Sequence, residues 1–201
     1  MNRVLHGIDV SNWQGRVDWP SHAKAGVAFA FAKATEGGGY ADRWFAHNWA
    51  GMRESWLVCG AYHFARPKGD PLEQARHFLA RIRAAGGLRR GDLLALDLET
   101  DDGLRPERVA EYARRWCRFV ERHARVRPFV YTYLAFAREG NCAGLDRYPL
   151  WIACPHRPRG DPTVPPPWRD WTIHQYDTSP VDRNVFHGSR KELTRLGFRP
   201  R

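Results

Sequence analysis

No stretch of the chain stays apolar for the roughly 20 residues that a bilayer requires, which excludes a membrane-spanning helix. Cysteine is scarce: Cys59, Cys117, Cys142 and Cys154 are the only four in 201 residues. No two of them have the C-x-x-C spacing of a metal or redox site. Cys59 falls in an apolar strand pattern and Cys117 on an apolar helix face, where a thiol behaves as a small hydrophobe. Cys142 and Cys154 lie near loops. Four free thiols are expected, with a bridge between those two as the alternative. Several signatures are missing as well: H-E-x-x-H, the P-loop, G-x-S-x-G and G-x-G-x-x-G. Their absence leaves no zincin, nucleotide-binding, hydrolase-elbow or dinucleotide reading. The nine His are dispersed, so neither a metal nor a cofactor is called for.

Lysine is rare, yet the chain is strongly basic. Only 4 of the 32 basic residues are Lys, and the formal net charge is +10. Such an excess draws a protein to polyanions, among them nucleic acid, anionic lipid and anionic wall polymers. The arginines are spread along the chain and form no basic tail, so a solvated Arg-rich surface is an equal alternative. Hydrophobic residues make up 43% and charged residues 27%, an ordinary globular balance. A chain of 201 residues suits one domain with a sizeable core. The opening segment has no long apolar run behind Arg3 and enters a strand pattern almost at once. The expectation is a monomer made in a cytoplasm without a secretory signal. No separate binding module is expected within residues 1–201.

Strand and helix patterns alternate through the first two thirds. Residues 4–10, 27–33, 56–64, 93–98, 129–133, 150–153 and 171–176 read as strands. A short helix over 20–25 ends at Gly26. Asp42 is expected to cap a helix whose apolar face is Phe45, Trp49 and Met52. Asp70-Pro71-Leu72-Glu73 reads as a strong helix start, with Leu72, Ala75, Leu79 and Ile82 on one face. Pro106 begins a long helix with Val109, Tyr112, Ala113, Trp116, Phe119 and His123 on one side. The last third has little helical pattern, and residues 155–167 are a Pro-rich loop. Alternation of this kind predicts an α/β fold with parallel strands. Up to eight strands with too few helices predict a barrel whose final strands lack them.

The most informative segment is Leu94-Ala95-Leu96-Asp97-Leu98-Glu99. Strand residues two apart face the same way, so Asp97 and Glu99 share a face opposite Leu94, Leu96 and Leu98. Two carboxylates at the end of an apolar strand repel each other and resist desolvation. At least one is then expected to have a raised pKa, as a general acid needs. Catalytic groups in parallel barrels sit at the C-terminal strand ends. Asp9, in Gly7-Ile8-Asp9-Val10-Ser11, repeats the arrangement, although a turn-forming Asp is equally consistent. Glu36 follows a strand and reads first as a partner for Lys33. Asp182 lies beside Arg183, and a salt bridge there is its plainer explanation. Trp13, Tyr40, Tyr62, Tyr131, Trp151 and Tyr176 lie near strand ends or loops. Sugar faces stack on such rings, although aromatic residues are more often core.

Taken in order, these segments resemble the family 25 glycoside hydrolase lysozymes. The matching pieces are Gly7-Ile8-Asp9-Val10-Ser11 with Gln14-Gly15, then residues 29–37 (FAFAKATEG), Gly60-Ala61-Tyr62-His63-Phe64 and Leu96-Asp97-Leu98-Glu99. Leu150-Trp151-Ile152-Ala153, residues 162–176 and Val181-Asp182-Arg183-Asn184-Val185-Phe186 follow. The resemblance implies a modified TIM-like barrel of eight strands and about five helices. It implies cleavage of the β-1,4 bond from N-acetylmuramic acid to N-acetylglucosamine in bacterial peptidoglycan, by a phage endolysin or a bacterial wall-lytic enzyme. Glu99 then matches the general acid and Asp97 the carboxylate that orients the substrate acetamido group. Asp9 and Asp182 match two supporting acids. Tyr62, Glu36, Tyr131, Trp151 and Gln175 are the expected substrate-binding residues. Two departures stand out. Only Asp177-Thr178-Ser179-Pro180 separates Tyr176 from Val181, which implies a shortened cleft wall. Cys154-Pro155 follows Ala153 where the family usually carries an aromatic residue.

Two other functions compete with hydrolysis. A wall-binding module without activity needs the cleft and the basic surface but not the acids, and all four acids are present. A nucleic-acid binder would explain the charge, but no nucleic-acid motif is found and the arginines are not confined to one element. Peptidoglycan is therefore the expected partner, with anionic wall polymers as a second and nucleic acid not expected.

Overall fold

The computed structural model describes residues 4–200; Arg3, part of the opening segment read above, lies outside them. Eight strands close into a barrel: β1 (Val4–Val10), β2 (Val27–Glu36), β4 (Val58–Phe64), β5 (Leu93–Asp97), β6 (Phe129–Tyr133), β7 (Leu150–Ala153), β8 (Ile173–Asp177) and β9 (Asp182–His187). Their order around the barrel is β1, β9, β8, β7, β6, β5, β4, β2, and pairing of β1 with β2 closes the ring. The two-residue strand β3 (Tyr40–Ala41) hangs from the end of β2 outside it.

Seven barrel strands run parallel, as the alternating pattern predicts, but β9 runs antiparallel to both β8 and β1. Its direction follows from chain length. Only residues 178–181 join β8 to β9, and a parallel return needs a crossover of a dozen or more residues.

Helices α1 (Trp19–Lys24), α2 (Phe45–Glu54), α3 (Pro71–Ala84), α4 (Pro106–Ala124), α5 (Leu134–Phe136) and α6 (Arg190–Arg195) follow strands on the outside; α5 runs on into a wider turn over Ala137–Asn141. No helix lies between β7 and β8. The sequence reading missed α6, although Ser189 and Glu192 form a reciprocal capping box at its start.

Other local readings shift for identifiable reasons. Asp70 caps α3 through the Leu72 and Glu73 amides, as expected. Asp42 does not cap α2. Its carboxylate accepts from the Trp44 amide at 2.8 Å and from the Asn12 amide at 2.8 Å, tying the exit of β1 to the entry of α2. The strand expected from residue 56 starts at Val58, because Trp56 sits at φ 59 in a turn, with its ring exposed. On α4, His123 is exposed and stacks on Phe119 at 3.9 Å; Val109, Tyr112, Trp116 and Val120 are the side that packs inward.

Strand alternation separates two cores. Leu94, Leu96 and Leu98 face outward to the helices. Leu93 and Ala95 face the barrel interior, with Phe29, Phe31, Phe129, Trp151 and Ile173. Phe31 lies 4.4 Å from Trp151 with its ring tilted by 33° and meets Phe129 edge-on at 5.9 Å. The Phe31 ring occupies the space that a Cβ on Gly60 would need, so Gly60 sets how closely β4 approaches β2. This aromatic plug fills the barrel and leaves room for polar groups only towards one end.

Outside the sheet, a buried polar chain ties β2 and β4 to α3 and α4. His63 Nδ1 pairs with Thr35 Oγ1 at 2.8 Å, its Nε2 with Gln74 Oε1 at 3.0 Å, and Tyr112 donates to that Oε1 at 2.6 Å. Burial lowers the His63 pKa to about 3, so the ring is neutral and structural.

Candidate active site

The parallel strands point their C-terminal ends at one mouth of the barrel, and the acids gather there. Asp9 lies near the end of β1, Asp97 ends β5, and Glu99 follows two residues on. Asp182 begins β9, and because β9 runs the other way its first residue sits at the same mouth. The register pairs Asp9 directly with Asp182. Together these four acids line a cavity of about 280 Å³ with Lys33, Tyr62, Tyr131 and Trp151. Trp13, 85% exposed, stands at its edge on the single turn Asn12–Gln14.

Asp9 is the best anchored acid. Its Oδ2 accepts from Asn184 Nδ2 at 2.7 Å and from Gln175 Nε2 at 3.0 Å. Each donor is held in turn. Trp151 Nε1 donates to Asn184 Oδ1 at 2.7 Å, and the Tyr131 hydroxyl donates to Gln175 Oε1 at 2.9 Å. Burial nevertheless pushes the Asp9 pKa up to about 7, and repulsion from Asp182 adds to it against these two hydrogen bonds.

Asp97 is enclosed and its Oδ1 has no hydrogen-bond partner among the described residues. Burial holds it well above the usual carboxylate range; Glu99 reinforces that shift and Lys33 opposes it. Glu99 is raised as well, chiefly by burial, with Lys33 pulling it down and Asp182 pushing it up. Burial and the neighbouring Asp177 raise Asp182. All four carboxylates are thus shifted towards holding a proton, the property a general acid requires.

Of the remaining sequence candidates, two sit behind the cavity wall and Trp151 reaches it only in part. Glu36 is ion-paired with Lys33 at 2.6 Å and with Arg66 at 2.6 Å, so it fixes the lysine and does not line the cavity. Gln175 is buried, with both ends of its amide engaged by Asp9 and Tyr131. The Trp151 ring packs against Phe31 and Tyr131, leaving only an edge at the cavity floor. The salt bridge expected between Asp182 and Arg183 is not made; Arg183 pairs with Asp177 at 3.4 Å.

Sequence reasoning overlooked two members of the site. The sequence presents Lys33 only as a partner for Glu36, yet it is a cation that Asp97 and Glu99 share. Asn184 was passed over, although strand alternation from Asp182 puts it on the inner face.

Comparison with known proteins fits this geometry. The model of Glycosyl hydrolases family 25 matches residues 8–185. The protein YegX from Escherichia coli K12 is 36% identical over 203 residues, spanning 94% of this chain and 72% of that protein. Lysozyme M1 from Streptomyces globisporus is 34% identical over 217 residues, spanning 96% and 71%. The crystal structure of a bacterial lysozyme from Streptomyces coelicolor superposes with a TM-score of 0.86 at 31% identity, covering 96% of each chain. The barrel, the acid-lined mouth and these likenesses agree: the chain belongs to glycosyl hydrolases family 25 and is a glycoside hydrolase of the lysozyme, or muramidase, kind.

Proposed function

We propose that this site hydrolyses the β-1,4 bond from N-acetylmuramic acid to N-acetylglucosamine in bacterial peptidoglycan. The observation that carries this reading is the convergence of Asp9, Asp97, Glu99 and Asp182 on one small cavity. Glu99 acts as the general acid. Its proton passes to the glycosidic oxygen as the bond from that oxygen to the sugar carbon breaks; water then adds its hydroxyl to that carbon and gives its remaining proton to an ionised carboxylate of the site, which restores the acid.

Asp97 lines the cavity and receives the N–H of the substrate acetamido group on its carboxylate oxygen Oδ2, while Oδ1 is buried behind it without a partner. Burial favours a proton on Asp97. An amide donated to Oδ2 stabilises the ionised form instead. Ionised Asp97 then raises its neighbour's affinity for the proton, which places it on Glu99 where protonation of the leaving group needs it. Asp9 and Asp182 support the site from its other wall. The Asp9–Asn184–Gln175 network holds Tyr131 and the floor of the cavity in register.

Purified protein acting on peptidoglycan is expected to release fragments with new N-acetylmuramic acid reducing ends, read by mass spectrometry after borohydride reduction. New N-acetylglucosamine ends alone would overturn the bond assignment. Free peptides without new sugar ends would overturn the glycosidase reading altogether.

A further inference from the structure

The end of the barrel opposite the acids carries an open groove of about 1100 Å³. It is framed by the N-terminal ends of β6, β7 and β8 and by the exits of α4 and α6. Six arginines line it: Arg125, Arg127, Arg147, Arg169, Arg195 and Arg199. Only three carboxylates do, and two of them are engaged. Glu121 binds both Arg127 at 3.3 Å and Arg147 at 3.0 Å, so two guanidiniums share one negative charge. Asp170 accepts from the Trp171 amide at 2.7 Å. Among the described residues, Arg125, Arg169, Arg195 and Arg199 make no ion pair, and all four are exposed; Arg199 donates to the Arg195 carbonyl at 2.7 Å.

A concave surface with uncompensated positive charge concentrates potential along its length. The guanidinium fork matches two oxygens of a phosphate. Arg147 is already oriented, held by Glu121 and lying 5.2 Å over the Tyr148 ring. The aromatic residues of the groove do not offer free faces: Tyr148 and Trp168 are buried and Trp171 is packed on His187 at 4.8 Å. Base stacking, which single-stranded nucleic acid needs, therefore has no platform here. A flat lipid surface would not reach into a groove. A flexible chain of repeated anions would, engaging several arginines at once.

We propose that this groove docks a polyol-phosphate polymer, an anionic phosphodiester chain carried on the same wall as the glycan. The choice of partner rests on the peptidoglycan reading of the acid cavity; the anion chemistry of the groove does not. Docking at this end leaves the opposite mouth clear, so attachment to the wall and hydrolysis of the glycan proceed together.

The test compares two triple variants that remove the same charge. Arg125→Gln/Arg169→Gln/Arg195→Gln removes three of the four groove arginines that make no ion pair. Arg83→Gln/Arg115→Gln/Arg122→Gln removes three exposed, unpaired arginines elsewhere. Binding is measured by calorimetry to synthetic poly(glycerol phosphate), to polyglutamate of equal charge and to duplex DNA. Each exposed pair is worth about two- to fivefold, so the groove triple should weaken poly(glycerol phosphate) binding at least about tenfold. The other triple should weaken it less than about threefold, from the loss of general field alone. Wild-type binding should fall as salt passes about 0.1–0.2 M, where the Debye length shortens to about 8–10 Å. Equal weakening by both triples would reduce the groove to diffuse charge and overturn the proposal. So would binding of polyglutamate or DNA as tight as that of the phosphate polymer. If the groove triple does not fold by circular dichroism, the single variants Arg169→Gln and Arg195→Gln carry the same comparison at two- to fivefold each, on the same estimate of about one exposed pair. Cleavage of a short soluble glycan should be unchanged in all of them. Loss of cleavage in the wild type itself would strike the peptidoglycan reading and leave the groove result standing.

Discussion

At the C-terminal ends of the parallel strands, four carboxylates are shut into a cavity of about 280 Å³, while at the N-terminal ends six arginines stand in an open groove of about 1100 Å³. Both ends concentrate one sign of charge, and both belong to the same barrel. Their surroundings make the difference. In the cavity, desolvation is the first cause of every raised carboxyl pKa, and a neighbouring acid adds to it in each case. In the groove, water screens each arginine from the next, so like charges are tolerated cheaply and act mainly on what arrives from outside. Enclosed charge is thereby suited to moving a proton, and exposed charge to holding a polymer.

The largest break in this comparison should come from the enclosed end. Glu99→Gln keeps shape and polarity but removes the acid, and kcat on peptidoglycan should fall by about 10²–10⁴. Asp97→Asn should also lose kcat, with substrate binding retained in both. An aryl glycoside with a good leaving group needs little protonation, so it should partly rescue Glu99→Gln and leave Asp97→Asn unrescued. If both variants fold and neither loses more than about tenfold, roughly 1.4 kcal/mol of barrier, the β5 end does not carry the chemistry.

Lys33→Met should move the pH profile rather than abolish the activity. The lysine lowers the pKa of both Asp97 and Glu99. Without it both acids hold their protons to higher pH. The ascending limb, which needs an ionised carboxylate, and the descending limb, which needs a protonated one, should both shift upward in a plot of kcat/KM against pH. An unmoved profile would show that Lys33 only anchors Glu36.

Asp9 allows the cost of enclosure to be read as stability. Its pKa of about 7 in the fold lies above the ordinary value of about 3.9, so the fold favours the protonated form. That contribution is complete below about pH 4 and is lost as pH rises through about 7. Asp9→Asn keeps the shape and cannot ionise. Its Tm should exceed that of the wild type at pH 8, and the gap should close towards pH 4. Identical melting at pH 8 would show that ionised Asp9 is not strained. The smallest effect belongs to the other end: Arg169→Gln should change stability by no more than about 0.5 kcal/mol and leave kcat on a soluble glycan untouched.

Much of the fold was legible because it is written in periodicity. Seven of the eight barrel strands were visible as apolar or alternating runs, and Asp70-Pro71 marked the start of α3 without help from the rest of the chain. The strand β9 and the helix α6 were not. Residues 182–187 mix Asp, Arg and Asn with Val and Phe, and only the gap between β1 and β8 gives them two strands to pair with. The capping box of α6 was readable, but six residues show too little periodicity to announce a helix. Asp42 was misassigned because a carboxylate before a helix looks like a cap whether it serves the next amide or one 30 residues away.

The residues by themselves determined the chemistry available to this protein: acids ending apolar strands, aromatics beside them, and an excess of arginine. They determined it because side-chain type and strand alternation are local properties. Which acids meet, which one is left without a partner, and that Lys33 and Asn184 stand among them were decided only when the barrel closed. So was the separation of charge between its two ends. These are properties of distance and burial, and a pKa or an electrostatic groove exists only once the fold has excluded water from one end and left it at the other.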